Sequence, residues 1–274
     1  MKQPTNSLER ALAILEALEQ TPGGLRNGEI SQRMRIPKST CSYIMERLEE
    51  RGYLARDPES GRYRIGLTPV ALAHGALREI GVRAIAEPAL YKLAAETGLS
   101  AGIGVLERGR VLIVDRVEGS GFVRDAVQVA GDLPVRWGAQ ARKYRLRADR
   151  DIGRELPAHS TALGKVLLAF RPRQEVLAIV ARYGLARFTR KTIISRARLF
   201  RELALVREQG YAAADEEHHG GLRSIAAPIF GAAGEVSAAV ALNGGLAEPA
   251  WAAADVLVQK IKAAGREISR RARF

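Results

Sequence analysis

Two short helical patterns are joined by only three residues near the start of this chain, and that junction restricts the fold more than any other feature. "NGEISQRM" (27–34) places Ile30 and Met34 on one face. "KSTCSYIMERLEE" (38–50) places Cys41, Ile44, Met45 and Leu48 at i, i+3, i+4 and i+7. Between them "RIP" (35–37) leaves room for a tight turn, and Pro37 suits the first position of a helix. Upstream, Asn6 or Ser7 can cap a helix in which Leu8, Ala11, Leu12, Leu15 and Leu18 keep the helical period, and "TPGG" (21–24) ends it. Downstream, Gly52 stops the third helix, and "YLARDPESGRYRIG" (53–66) reads as two short strands around an Asp57–Gly61 turn. Three helices followed by a hairpin is the layout of a winged helix-turn-helix.

The outward face of the third helix is furnished unevenly. Its leading turns offer Lys38, Ser39, Thr40, Ser42 and Tyr43, and acids come only at Glu46, Glu49 and Glu50. In a winged helix-turn-helix this helix enters the major groove and contacts base edges from its N-terminal half. Those five residues, with Arg47 one turn further on, are therefore candidates for DNA contact. Arg62 and Arg64 on the wing are candidates for phosphates or the minor groove. The competing reading is a helical hairpin whose polar face simply meets water, and the hairpin after the third helix weighs against it.

Charge supports a polyanionic partner without locating it. The 274 residues carry 43 basic and 30 acidic side chains, net +13, with a pI near 10.3. Residues 1–70 hold 11 basic and 9 acidic side chains, so the head is only mildly basic. Residues 136–154 hold seven basic and two acidic. For that segment a solvated surface loop, a part in closing a binding site and a DNA contact all stay open. The length suggests about two domains, and no apolar run reaches the ~18–20 residues of a membrane span. A single cysteine excludes an internal disulfide, and the N-terminus lacks a signal-peptide pattern, so a cytoplasmic location is expected.

Beyond the wing, "LTPVALAHGALREIG" (67–81) reads as a helix opened by Thr68–Pro69 and closed by Gly81. His74 in it is expected to serve helix packing or a dimer contact. A second helix is predicted over Val82–Glu96. Ile103 and Val105, then Val111, Ile113 and Val117, read as strands around a Glu107–Arg110 turn. The Gly102–Gly104 pair lies inside a strand and opens no helix, so it is not a dinucleotide fingerprint. Helices are predicted at about 160–170, 173–182, 195–209 and 249–271, and strands near 211–214, 222–230 and 235–243. In the last helix Leu257, Ile261, Ala264 and Ile268 should face inward. One sheet with helices on its faces is the economical packing.

"SLERALAILEAL", "IPKSTCSYIMERLEERGYL" and "RDPESGRYRIG", then "LPAHSTALGKVLLA" (156–169), "REQGYAAADEEHHGGLRSIAAPIF" (207–230) and "EVSAAVALNGG" (235–245), together resemble IclR-type transcriptional regulators over most of the chain. The resemblance implies a two-domain α+β protein. A winged helix-turn-helix would span 1–68, a linker helix 69–81, and a GAF-like effector-binding and oligomerisation domain with a mainly antiparallel sheet 82–274. An insertion is expected near 118–155, where a G-LP element occurs both at Gly131–Pro134 and at Gly153–Pro157, and the second is preferred for the family position. The turn before the third helix carries Arg35 where such turns often use glycine, so Arg35 either takes a strained backbone or projects towards DNA. The resemblance implies that effectors bind against the helix that "HSTALGK" enters and the last strands. Carried over, the candidates are Ser160, Thr161, Ala162, Leu163, Asp215, Leu222, Ser224 and Asn243. Free N–H groups at Ser160–Leu163 would suit a carboxylate, while ordinary capping by Ser160 or Thr161 is the plainer reading.

An enzyme would need a nucleophile with its base, paired carboxylates or a metal centre. Cys41 belongs to an apolar stripe, and no G-x-S-x-G, P-loop or zinc spacing occurs. "DEEHHGG" (215–221) offers metal-ligand types, but His218 and His219 in a strand would point to opposite faces. No metal and no cofactor is expected. The sequence reading is an effector-responsive regulator that binds a palindromic DNA operator as a homodimer or homotetramer, senses a small organic acid and controls a catabolic operon. An architectural DNA-binding protein without effector is the alternative, and an enzyme in the C-terminal domain a weaker one.

Overall fold

The computed structural model describes residues 6–119 and 152–272, which divide after Glu79 into two compact units. The first runs α1 (Ser7–Glu19), α2 (Asn27–Met34), α3 (Lys38–Glu50), β1 (Leu54–Arg56), β2 (Tyr63–Ile65) and α4 (Thr68–Glu79). Asn6 caps α1 by accepting the Glu9 N–H at 2.9 Å. Strands β1 and β2 pair antiparallel with Leu54 opposite Ile65, and Tyr63 also bridges to Leu25. Ile14 and Leu18 of α1, Ile30 and Met34 of α2, and Cys41, Ile44 and Met45 of α3 form one buried cluster with Leu54.

The inward face of α1 differs from the expected one. Ile14 is fully buried, whereas Leu8 and Leu12 are 70% and 51% exposed. Nearly every second residue of α1 is apolar, so two stripes overlap and periodicity alone cannot choose between them. Pro37 caps α3 from outside rather than opening it. Helix α4 ends at Glu79, and Gly81 opens the next helix instead of closing this one. No residue of α4 is buried.

Arg35 takes a left-handed backbone, φ 54° and ψ 46°, at the end of α2. Ile36 N–H then donates back to Ser31 O at 3.2 Å, closing a helix end that usually employs glycine. An L-residue pays about 1–2 kcal/mol for this conformation. Arg35→Gly is accordingly expected to stabilise the first unit by about 1 kcal/mol, read as a higher midpoint in thermal melts. A lower midpoint would show that the strain is absent.

The second unit opens with α5 (Gly81–Thr97), β3 (Ser100–Glu107) and β4 (Arg110–Val117). After β5 (Glu155–Pro157) and a 3-10 turn (158–160) come α6 (Ala162–Ala169), α7 (Arg173–Tyr183) and α8 (Arg196–Gln209). Strands β6 (Ala212–Asp215), β7 (Leu222–Phe230) and β8 (Val236–Gly245), a 3-10 turn (249–253) and α9 (Ala254–Arg271) complete it. The six strands form one antiparallel sheet in the order β5-β4-β3-β8-β7-β6. Strand β5 is too short for its alternation to show in sequence. The expected insertion lies largely outside the described residues, as do Gly131–Pro134 and most of the basic segment 136–154.

Helices cover both faces of the sheet. On one face every residue of α6 is buried, because it lies between the sheet and α8, with Val176 and Val180 of α7 in the same cluster. Close approach there depends on missing side chains. A Cβ on Gly164 would stand 2.2 Å from Ala158 O, and one on Gly104 would stand 3.3 Å from Leu163 Cδ1. On the other face, a Cβ on Gly265 of α9 would stand 2.7 Å from Pro228 O. Leu257, Ile261, Ala264 and Ile268 of α9 are buried as predicted. Among the described residues no helix is long and apolar enough to cross a membrane.

Candidate nucleic-acid interface and effector site

Helix α3 is amphipathic in the sense the sequence predicts. Cys41, Ile44 and Met45 are buried, while Lys38, Ser39, Ser42, Tyr43 and Arg47 are exposed and Thr40 is half-buried. Tyr43 is 59% exposed. The Arg47 guanidinium lies 5.5 Å over its ring and pairs with Glu50 at 2.7 Å. Asn27, at the start of α2, donates from its amide to Ser42 Oγ. Sequence reasoning missed Asn27, since nothing in the spacing of α2 ties it to α3. It orients the Ser42 hydroxyl on the outer face.

The wing arginines are less free than their alternation suggests. Arg62 Nη1 donates to Gly24 O at 2.7 Å and lies 3.3 Å from Glu29 Oε2, so it fastens the wing to the segment leading into α2. Arg64 is 3.6 Å from Asp57 and more than half exposed. Between them, Arg64 has the wider reach to a partner outside the chain.

In the second unit, Thr161 is the cap of α6. Its Oγ1 accepts the Gly164 N–H at 3.2 Å and donates to Pro157 O at 3.0 Å. The helix thus begins at Ala162, two residues later than predicted. Ser160 is fully buried, with its Oγ 3.3 Å from His218 Nδ1. Ala162 and Leu163 are buried as well.

Pairing in the sheet sorts the remaining candidates. Ser224 lies directly opposite Asn243, and Leu222 opposite Gly245. Two residues along each strand, Ala226 and Ala241 pair and join the buried cluster that holds Ala162 and Leu163. Alternation therefore puts Leu222, Ser224 and Asn243 on the face that carries α6. Among the described residues no hydrogen bond engages the side chain of Ser224 or Asn243. Asp215 does not share this face. Ala214 is the buried neighbour on the α6 side. Asp215 meets Arg223 at 3.3 Å and Lys191 at 3.1 Å instead. Partial burial works against its ionised form, but these two cations outweigh it and hold the carboxyl below the usual range.

The segment 216–221 is a turn, not the strand assumed for the histidines. Glu216 has a left-handed φ of 56°. Thr189 Oγ1 donates to Glu216 O and Thr192 Oγ1 to Glu217 O, each at 2.6 Å. His218 turns inward against Phe188, ring centroids 4.7 Å apart, while His219 Nδ1 lies 2.9 Å from Gly220 O. Among the described residues no group of three or more potential ligand side chains gathers to hold a metal.

Lys165 was also missed. Its Nζ is held between Glu202 at 2.8 Å and Glu217 at 2.7 Å, and its side chain is 1% exposed. A lone lysine in the apolar run "ALGKVLLA" was the available signal, because a buried ammonium needs carboxylate partners. Burial pushes the Glu217 carboxyl up, against the opposing pull of Lys165.

Comparison with known proteins agrees with this arrangement at both ends of the chain. The family described as "IclR helix-turn-helix domain" matches residues 7–58, and "Bacterial transcriptional regulator IclR C-terminal" matches residues 140–270. The chain is 33% identical over 237 residues to the HTH-type transcriptional regulator XynR of Escherichia coli, covering 86% of this chain and 85% of XynR. It is 33% identical over 245 residues to KdgR of Dickeya chrysanthemi, covering 88% and 72%. The crystal structure of Thermotoga maritima IclR superposes with a TM-score of 0.71 at 26% identity, over 98% of this chain and 99% of that one. An IclR homologue from Microbacterium hydrocarbonoxydans, crystallised with 4-hydroxybenzoate, shares the fold with a TM-score of 0.73 at 24% identity, over 98% and 99%. These families and relatives are transcriptional regulators, not enzymes. The chain belongs to the IclR family of transcriptional regulators, with a helix-turn-helix DNA-binding domain ahead of the family's C-terminal domain.

Proposed function

We propose that the leading turns of α3 read a palindromic operator, and that a small organic acid held between α6 and strands β7 and β8 controls that binding. The observation that carries the reading is the outer face of α3. Lys38, Ser39, Ser42 and Tyr43 are exposed together, and no acid precedes Glu46. Such a surface suits phosphate and base edges. The facing pair Ser224 and Asn243, whose side chains make no hydrogen bond among the described residues, supplies polar groups for a ligand on the α6 side. The 4-hydroxybenzoate of the Microbacterium homologue makes aromatic acids the first class to try. The protein acts in the cytoplasm on a catabolic operon as a homodimer or homotetramer. Exposed Leu8 and Leu12 on α1, with Leu67, Val70 and Leu72 around α4, support self-association.

The DNA arm uses an operator selected from random duplexes. Lys38→Ala should weaken binding to every sequence and lower the slope of log K against log salt by about one phosphate's worth. Ser42→Ala should change base preference at one position per half-site, by roughly 1–3 kcal/mol. If both leave affinity, preference and slope as they were, α3 is not the reader.

For the effector arm, Ser224→Ala is the cleaner change. Ala162 is only 1% exposed, so a bulky residue there would disturb packing as well as binding. Titration with a panel of aromatic and aliphatic carboxylic acids should find one whose affinity drops by roughly 1–2 kcal/mol in Ser224→Ala. Unchanged affinity for every acid that binds would place the pocket elsewhere.

A further inference from the structure

The basic excess of this protein is not in its DNA-reading head, where residues 1–70 are net +2. One described stretch of the second unit concentrates it. From Arg171 to Arg201 there are nine basic residues and one acidic, net +8, and eight of the nine are arginines. The stretch comprises α7, the loop after it and the first turns of α8. Arg173, Arg187, Arg190, Arg196, Arg198 and Arg201 are all exposed. Among the described residues none of these six forms an ion pair, whereas Lys191 is taken up by Asp215 and Glu216.

The frame beneath these side chains is fixed. Val176 and Val180 of α7 and Leu199 and Leu203 of α8 belong to the buried cluster that holds α6, so each helix is anchored in the core along one side. The Arg173 guanidinium lies 4.2 Å over the Phe200 ring and joins the start of α7 to α8. Thr189 and Thr192 pin the intervening loop to the backbone of Glu216 and Glu217. Arg198 feels the Glu217 carboxylate, but so large an excess of cations in one stretch still repels itself, and an anionic partner relieves that repulsion.

We propose that this arginine-rich layer is a second, sequence-independent DNA contact that holds the phosphate backbone flanking the operator. The inference rests on the reading that α3 binds the operator itself. Two features favour DNA over an acidic protein. The guanidinium fork matches phosphate oxygens in bidentate geometry, which explains arginine in place of lysine. The charge is also of one sign, nine cations against one acid from Arg171 to Arg201, which suits a polyanion whose phosphates recur at short intervals.

The test uses the full chain carrying Arg187→Gln, Arg190→Gln, Arg196→Gln and Arg198→Gln together. All four side chains are exposed, so the melting temperature should match that of the unmodified protein. Binding is measured against salt on two duplexes, one trimmed to the in vitro selected operator and one extended on both sides. On the extended duplex the slope of log K against log salt should fall by about 3–4 units. On the trimmed duplex it should not change. Equal slopes for variant and unmodified protein on the extended duplex would overturn the proposal and leave an acidic protein as the partner. An equal fall on both duplexes would also overturn it, since the layer would then contact the operator itself. Failure of the α3 reading shows separately, as Lys38→Ala leaving binding to the trimmed duplex untouched.

Discussion

Replacing Lys165 by methionine is expected to destabilise the effector unit by about 3–5 kcal/mol. The ammonium is almost wholly removed from water and held by Glu202 and Glu217. Methionine fills a similar volume, so packing loss contributes little. What remains is a carboxylate pair without its cation. Glu202 is 28% exposed and keeps part of its hydration, but the Glu217 side chain is 11% exposed and its Oε2 has no hydrogen-bond partner among the described residues. Glu217 should then take up a proton on folding. A carboxyl whose folded pKa is raised binds more protons folded than unfolded, so stability falls as pH rises. The deficit of Lys165→Met should therefore be larger at pH 8 than at pH 5. Adding Glu217→Gln should restore part of the loss and flatten that pH dependence. Urea melts at both pH values provide the check. A loss below about 1 kcal/mol for Lys165→Met would mean the ion triad contributes little to stability.

Acidification from pH 7 to pH 4 should remove up to about 3 kcal/mol of stability through His218 alone. Burial, with added repulsion from Arg154 and from neighbouring histidines, pushes its imidazole down to about 4 from an ordinary 6.5. Between those values the unfolded chain holds a proton that the folded protein excludes. Stability is consequently full above about pH 6.5 and declines as pH falls towards 4. His159 moves in the same direction for the same reason, burial. Carboxylates also titrate in this range, so the comparison must be with His218→Phe, which keeps an aromatic ring against Phe188. The variant should lose less stability between pH 7 and pH 4 than the unmodified protein. Identical losses would show that His218 protonates freely in the folded state. Because His218 also meets Ser160 beside the α6 cap, effector binding below pH 5 should weaken along with it.

The sequence by itself determined most of the elements and their order, with the three-residue strand β5 the exception. Three residues between two helical stripes forced the helix-turn-helix, and the uneven outer face of α3 followed from Lys38 to Arg47 being read at helical spacing. These are local facts, because a helix or strand repeats every few residues and its faces can be counted along the chain. Ser224 and Asn243 came forward only through the family resemblance, and the pairing of β7 with β8 is what set them opposite each other. Tertiary structure alone decided which stripe of α1 turned inward, since both were apolar. It also decided that Arg62 holds Gly24 O and Glu29, that Asp215 faces away from α6 towards Arg223 and Lys191, and that Lys165 finds its carboxylates at positions 202 and 217. The physical reason is common to all four. Charge pairing and desolvation depend on distances across the fold, and residues far apart in sequence leave no periodic mark of the partner they will meet.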